Sequence, residues 1–181
     1  LVHRLDRETS GCLLVALNAR VLKDLQAQFK AKTVQKHYLA LVHGKWPEAA
    51  TEVTAALRKN EVIGGERVVR VADDGKPART RFQVLQRFPG ATLIEAAPET
   101  GRTHQIRVHC QHIGHPLVGD DKYAEARFRA PLIDAIASSR QLCLHASRLG
   151  FVDPATNSVA EFTAPLDERF AALLDKLSNK P

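Results

Sequence analysis

Apolar positions along the chain fall into short runs whose spacing switches between two and about 3.6 residues, the signatures of strands and helices. Gly11 to Leu17 (GCLLVAL) is continuous and apolar, which predicts a buried strand. Asn18 then reads as an N-cap, and Leu22, Leu25 and Phe29 at i, i+3 and i+7 predict an amphipathic helix to about Lys32. Arg20, Lys23 and Lys30 fall on its exposed side. From Lys36 to His43 (KHYLALVH) the pattern alternates, with Tyr38, Ala40 and Val42 on one face and Leu39, Leu41 and His43 on the other. That is a strand, ended by Gly44 and Pro47.

The middle of the chain is β-rich. Arg67 to Val71 predicts a strand, and the following DDGKP is turn chemistry. Arg79 to Phe88 and Ala91 to Ala97 predict a hairpin across Pro89-Gly90, with PETG at 98–101 as a second turn. Ile106, Cys110 and Ile113 at i, i+4 and i+7 predict a helix with a mixed polar face, ended by Gly114 and Pro116. A loop over 117–129 and a short helix over 131–137 follow. Leu142 to Val152 and Val159 to Thr163 flank the turn DPATNS. A closing helix begins at about Asp167, with Phe170, Leu173, Leu174 and Leu177 on one stripe. Strands outnumber helices and do not alternate with them regularly, so the expected class is α+β with a largely antiparallel sheet.

The 181 residues fit one domain, or one domain with an extension, and a hydrophobic fraction of 44% supports a sizeable core. Lys and Arg number 26 against 20 Asp and Glu, a net charge of +6, which favours a polyanionic partner. Cys12, Cys110 and Cys143 are odd in number and flanked by apolar residues, so reduced, buried thiols and a cytoplasmic protein are expected. No apolar run reaches membrane-spanning length. The sequence has no methionine and starts at Leu1 inside a motif, so we read it as a fragment lacking its N-terminal part.

Three stretches concentrate residues with chemical potential. HRLDRETSG at 3–11 sets Asp6 between Arg4 and Arg7 at the entrance to an apolar strand. A partly desolvated carboxylate there needs a cation, and a distant arginine can supply it as well as a near one. GRTHQIRVHCQHIGHP at 101–116 places Arg102 and His104 at a helix start, with Arg107 one turn on from His104. Such a start suits phosphate, and the bland alternative is a solvated basic face. His104, His109, His112 and His115 invite a metal reading, but three of them step by three residues and drift around a helix, with no carboxylate or cysteine completing a familiar spacing. Tyr38 is either a packed strand tyrosine or a partner of Asp6. The sequence has no Gly-rich phosphate loop and no G-x-S-x-G elbow, and at 6% aromatic residues no base-stacking sheet.

HRLDRETSG, KHYLALVHGKWP and GRTHQIRVHCQHIGHPLVGDDKY together resemble, in sequence, order and spacing, the three signature blocks of the RluA-type pseudouridine synthases, and the resemblance runs over 1–181. GERVVRVADDGKPARTRF is closest to the subgroup acting on large-subunit (23S) ribosomal RNA. The resemblance implies the pseudouridine synthase fold, a mixed sheet flanked by helices. It implies Asp6 as catalytic carboxylate, Tyr38 as the active-site tyrosine that stacks on the base and assists C5 deprotonation, and Arg107 as the arginine paired with Asp6. Arg4 would take the place of the extruded base, and Arg102 and His104 would help bind RNA. The reaction is an isomerisation, so no cofactor and no metal are expected, and we expect a monomer. The family's usual early Lys-Pro-x-Gly block and frequent S4-type RNA-binding domain are not in this sequence.

Three other readings share these residues: the same chemistry on transfer RNA or on both RNAs, an RNA-binding domain that keeps the fold without catalysis, and a metal-dependent hydrolase. The joint presence of Asp6, Tyr38 and Arg107 disfavours a degenerate copy.

Overall fold

The computed structural model describes residues 1–63, 66–125 and 141–179. Its elements are β1 (Ser10–Gly11), α1 (Ala19–Ala31), β2 (Gln35–His43), β3 (Glu52–Thr54), β4 (Leu57–Ile63), β5 (Glu66–Val71), β6 (Arg79–Phe88), β7 (Ala91–Pro98), α2 (Gln105–His112), β8 (Leu144–Val152), β9 (Val159–Thr163) and α3 (Glu168–Ser178). The seven-stranded sheet runs β1-β8-β2-β7-β6-β3, with β9 also on β8, while β4 and β5 form a separate hairpin. Among the described residues only the β1–β8 pair is parallel in the large sheet, so it is mixed and largely antiparallel as expected. The short helix expected at 131–137, and the end of the loop before it, lie outside the described residues.

The alternation of β2 sorts the core into two layers. Ala40 and Val42, with Tyr38 against them, pack with Ile94, Ala96 and Leu144 under Ile106 and Cys110 of α2. Leu41 points the other way, with Leu93 and Cys143 under Phe170, Leu173 and Leu177 of α3. Each fully buried Leu, Ile or Phe contributes about 1.5–3 kcal/mol relative to exposure. Two of the helices, α1 and α3, start where the sequence places their caps. Asn18 Oδ1 accepts from the Val21 N–H, and Asp167 Oδ1 from the Phe170 N–H.

Two expectations need correction. The run Gly11–Leu17 is not a buried strand: only Ser10 and Gly11 pair with β8, and the chain then leaves the ladder. Cys12, Leu14 and Ala16 pack inward beside α1, whereas Leu13, Val15 and Leu17 are exposed. Cys12 is accordingly only partly buried, unlike Cys110 and Cys143. The second correction concerns Arg102, which lies in the turn before α2, not on the helix, whose first residue is Gln105.

Candidate active site

The HRLDRETSG stretch is a loop closed at its base. The Val2 N–H donates to the Leu14 carbonyl, and the Leu14 N–H donates to His3 Nε2 at 3.0 Å. The His3 ring stacks on Phe29 of α1 at 4.8 Å. Its imidazole is therefore an acceptor at Nε2, and burial lowers its basicity in keeping with that. Within the loop the Thr9 N–H donates to the Asp6 carbonyl at 3.0 Å, a tight turn. Gly11 adopts φ +104°, and a Cβ there would meet the Ala146 carbonyl oxygen of β8 at 2.2 Å, so only glycine lets β1 lie this close.

Ser10 locks the loop to the rest of the fold. Its hydroxyl lies 2.9 Å from His145 Nδ1 of β8 and 2.9 Å from Asp167 Oδ2, the N-cap of α3. His145 Nε2 faces the Ala164 carbonyl at 3.1 Å. Burial works against the charge of Asp167, but hydrogen bonds from the Phe170 N–H, Gln141 and Ser10 outweigh it and hold the carboxyl below its usual range.

The facing wall is the turn 98–104 and the start of α2. Gln105, buried, organises it: Oε1 accepts from the Thr100 hydroxyl at 2.6 Å and the Arg102 N–H at 3.0 Å, and Nε2 donates to the Arg79 carbonyl and the Thr80 hydroxyl. All four of its hydrogen-bonding sites are occupied, which fixes the turn against β6. His104 takes a left-handed φ of 53° to enter the helix. The Val69 N–H donates to the Tyr123 hydroxyl, which lies 2.6 Å from His104 Nδ1. With the phenol donating to Nδ1, the neutral imidazole carries its proton on Nε2, the nitrogen 3.9 Å from Asp6. Burial lowers the His104 basicity and Arg107 and Lys122 add to that, against the pull of Asp6 and Asp120.

Arg107 is the centre of the arrangement, and its main partner is not Asp6. Nε and Nη2 donate to Asp120 Oδ2 and Oδ1 at 2.7 and 2.8 Å, a bidentate pair in the interior. Asp120 Oδ1 also accepts the Lys122 and Tyr123 N–H groups. The third guanidinium nitrogen, Nη1, stands 3.7 Å from Asp6 Oδ2, and the guanidinium lies over the Tyr123 ring at 4.9 Å. Burial by itself would weaken the Arg107 charge, but the Asp120 hydrogen bonds and the charges of Asp120 and Asp6 outweigh it and raise its basicity. The solvated basic face is thus excluded for Arg107.

Asp6, Tyr38, Arg107, Arg4, Arg102 and His104 all line one cleft of about 250 Å³. Tyr38 lines it, its hydroxyl pushed up to about 12 mainly by burial, with Asp6 and Cys12 acting in the same direction. Arg4 is exposed at the rim, and Arg102 Nε donates to the Pro77 carbonyl. The histidines of the third block disperse: His109 is buried between Thr80 and the Ala55 carbonyl, His115 meets the His43 carbonyl, and His112 is exposed. Sequence reasoning missed Asp120 and Tyr123. Their signal was present in LVGDDKY, where an acid follows a buried apolar pair and a glycine.

The comparisons with known proteins identify the family. The family profile described as RNA pseudouridylate synthase matches residues 1–112. Ribosomal large subunit pseudouridine synthase C of Escherichia coli K12 is 49% identical over 179 residues, covering 99% of this chain and 56% of the relative. The protein of the same name from Vibrio vulnificus CMCP6 is 50% identical over 177 residues, covering 98% and 55%. The chain spans about half the length of these curated relatives. Among solved structures, Human RNA Pseudouridylate Synthase Domain Containing 4 superposes with a TM-score of 0.82 at 26% identity, over 98% of this chain and 75% of that one. Human RNA Pseudouridylate Synthase Domain Containing 1 gives 0.77 at 30% identity, over 99% and 80%. The three sequence blocks that meet around the cleft, the fold that carries them and the profile matched over 1–112 have one common explanation: the chain belongs to the RNA pseudouridylate synthase family.

Proposed function

We propose that the chain isomerises uridine to pseudouridine in large-subunit ribosomal RNA, with Asp6 as the catalytic carboxylate. The observation that carries this is the convergence of Asp6, Tyr38 and Arg107, from blocks far apart in sequence, on a single cleft. The relatives named as acting on the large ribosomal subunit supply the substrate class. The reaction breaks the N1–C1′ bond, turns the free base and joins C5 to C1′, and the C5 proton moves to N1 by way of solvent or a side chain. Nothing is oxidised or reduced. A stacked uridine cannot present these atoms, so the nucleotide is extruded into the cleft.

In this reading Asp6 acts at the sugar–base unit, by attack on C1′ or by assisting elimination. Arg107 supplies the positive field that orients it. Tyr38 takes part as a neutral phenol: with its hydroxyl pushed up to about 12, it offers a ring face and a hydrogen bond, not a phenolate base for C5. Arg4, exposed at the rim, fills the gap in the RNA stack, and Arg102 and His104 hold the backbone. The cationic excess favours RNA and makes binding salt-dependent. Among the described residues no helix is long and apolar enough to cross a membrane.

The test incubates the chain and its Asp6→Asn variant with unmodified large-subunit ribosomal RNA in EDTA, then maps pseudouridine by carbodiimide labelling and primer extension. New stops with the unsubstituted chain alone are expected, with RNA binding retained by Asp6→Asn. Substantial turnover by Asp6→Asn removes Asp6 from its role. Product on transfer RNA alone changes the substrate, and loss of activity in EDTA favours a metal-dependent reaction.

A further inference from the structure

Lys36 is the one cation of the cleft wall that the reading above does not use. It sits on β2 two residues before Tyr38, and both side chains line the cleft. Its Nζ donates to the Thr100 carbonyl at 3.3 Å. Among the described residues no carboxylate lies within salt-bridge distance of it, and His3 is close enough for the Lys36 charge to lower its basicity. Burial alone accounts for its lowered basicity, to about 8, with no acidic neighbour offsetting it. Arg107 has the carboxylates of Asp120 and Asp6, but the Lys36 ammonium is withdrawn from water with only a neutral carbonyl as partner. An ammonium in that position is costly until an anion reaches it.

Resting on the function proposed above, we propose that Lys36 is a phosphate-binding residue of the cleft, taking the backbone phosphate of the extruded uridine or of its immediate neighbour. A uracil carbonyl would not neutralise the charge, whereas an RNA ligand carries one phosphate per nucleotide. A compact ammonium suits a phosphate oxygen as a point charge. Residues two apart on a strand stand about 7 Å from each other. A phosphate on Lys36 therefore belongs to the nucleotide whose base lies on Tyr38, or to the next one. The other cleft-facing titratable groups are His3, Arg4, Asp6, Tyr38, Arg102, His104 and Arg107, and Asp6 is already faced by His104 and Arg107.

The test compares Lys36→Met and Lys36→Arg with the unsubstituted chain, using an unmodified large-subunit ribosomal RNA transcript. Binding is measured against salt concentration in the Asp6→Asn background, so that no turnover intervenes. Lys36→Met is expected to weaken binding about tenfold or more and to lower the magnitude of the slope of log K against log salt by about 0.7–0.9, the release of one phosphate contact. Lys36→Arg is expected to restore most of the slope, because the charge is kept. In single-turnover assays with Asp6 present, the effect of Lys36→Met falls on the half-saturating concentration more than on the maximal rate. A merely structural role would weaken binding without moving the salt slope, and that result overturns the proposal. An unchanged slope in a Lys36→Met variant that melts like the unsubstituted chain overturns it too. Altered slopes together with no pseudouridine from the unsubstituted chain keep the phosphate site and refute the proposed reaction.

Discussion

Replacing Asp120 by Asn tests whether the Arg107–Asp120 pair is the foundation of the cleft. Both Asp120 oxygens face guanidinium N–H donors, at 2.7 and 2.8 Å, so either orientation of the amide sets an NH₂ against an N–H. The Asp120 side chain is 0% exposed and that of Arg107 9%, so water cannot repair the loss. The remaining carboxylate near Arg107 would be Asp6, at 3.7 Å. Breaking a buried pair by removing one charge costs about 3–5 kcal/mol. At roughly 2–4 °C per kcal/mol for a chain of this size, the melting temperature should fall by about 6–20 °C. Thermal and denaturant melts followed by circular dichroism measure this. Turnover should fall further than the folded fraction does, because Arg107 swings onto Asp6 and ties it up. The double variant Arg107→Met/Asp120→Leu, which removes both charges, should recover a large part of the stability. A loss under about 1 kcal/mol for Asp120→Asn, or a double variant as unstable as the sum of the single ones, would refute the assignment.

Three further outcomes follow from the geometry. Arg107→Lys should cut turnover about a hundredfold or more, since one ammonium cannot hold Asp120 with two nitrogens and offer a third to Asp6; near-normal rates would give that task to another residue. Ser10→Ala should cost about 1–3 kcal/mol and lower turnover, because the buried His145 Nδ1 and the Asp167 carboxylate lose their shared partner and the loop carrying Asp6 loses its anchor; unchanged melts and rates would dismiss the anchor. Lys36, lowered to about 8 from 10.5, binds fewer protons folded than unfolded between those values, so its penalty is full below about pH 8 and is relieved as pH rises towards 10.5. The stability of the unsubstituted chain relative to Lys36→Met should therefore rise across that window, by up to about 3 kcal/mol, and a pH-independent difference in denaturant melts would contradict the burial of a charged amine.

What the sequence disclosed depended on how much of each signal was local. The alternation in KHYLALVH was legible because its two faces meet two different cores, and the caps Asn18 and Asp167 were legible because capping is settled within three residues. The run GCLLVAL misled because a continuous apolar stretch presupposes cover on both sides, and here only alternate residues find it. β3 and β4 escaped notice, since a three-residue strand has no period to read and the register of β4 against β5 shifts between Arg58 and Glu61. The resemblance pointed to Asp6, Tyr38 and Arg107, but the pairing of Arg107 with Asp120 is a tertiary fact. It depends on Gly119 at φ +77°, whose Cβ would meet the Gln141 carbonyl oxygen at 1.9 Å, bringing the 117–123 loop against residue 141.

That pairing also explains how one arginine can serve a carboxylate that, in the proposed reaction, must remain free to react. Had Arg107 engaged Asp6 with its fork, both Asp6 oxygens would be committed as acceptors, and attack or proton transfer would first have to break two charge-assisted hydrogen bonds. Asp120 takes the fork and leaves Nη1 facing Asp6 at 3.7 Å, beyond hydrogen-bond length. Coulomb attraction falls only inversely with distance, so moving a unit charge from 2.7 to 3.7 Å retains about three quarters of it, while the hydrogen bond is lost altogether. His104 Nε2 at 3.9 Å adds an N–H dipole on the same terms. Among the described residues Asp6 therefore sits in a positive field without a fixed side-chain partner, on a loop whose position is set elsewhere by His3 and Ser10. In the proposed reaction the electrostatic and the nucleophilic roles are separated between two aspartates: Asp120 holds the cation, and Asp6 uses it.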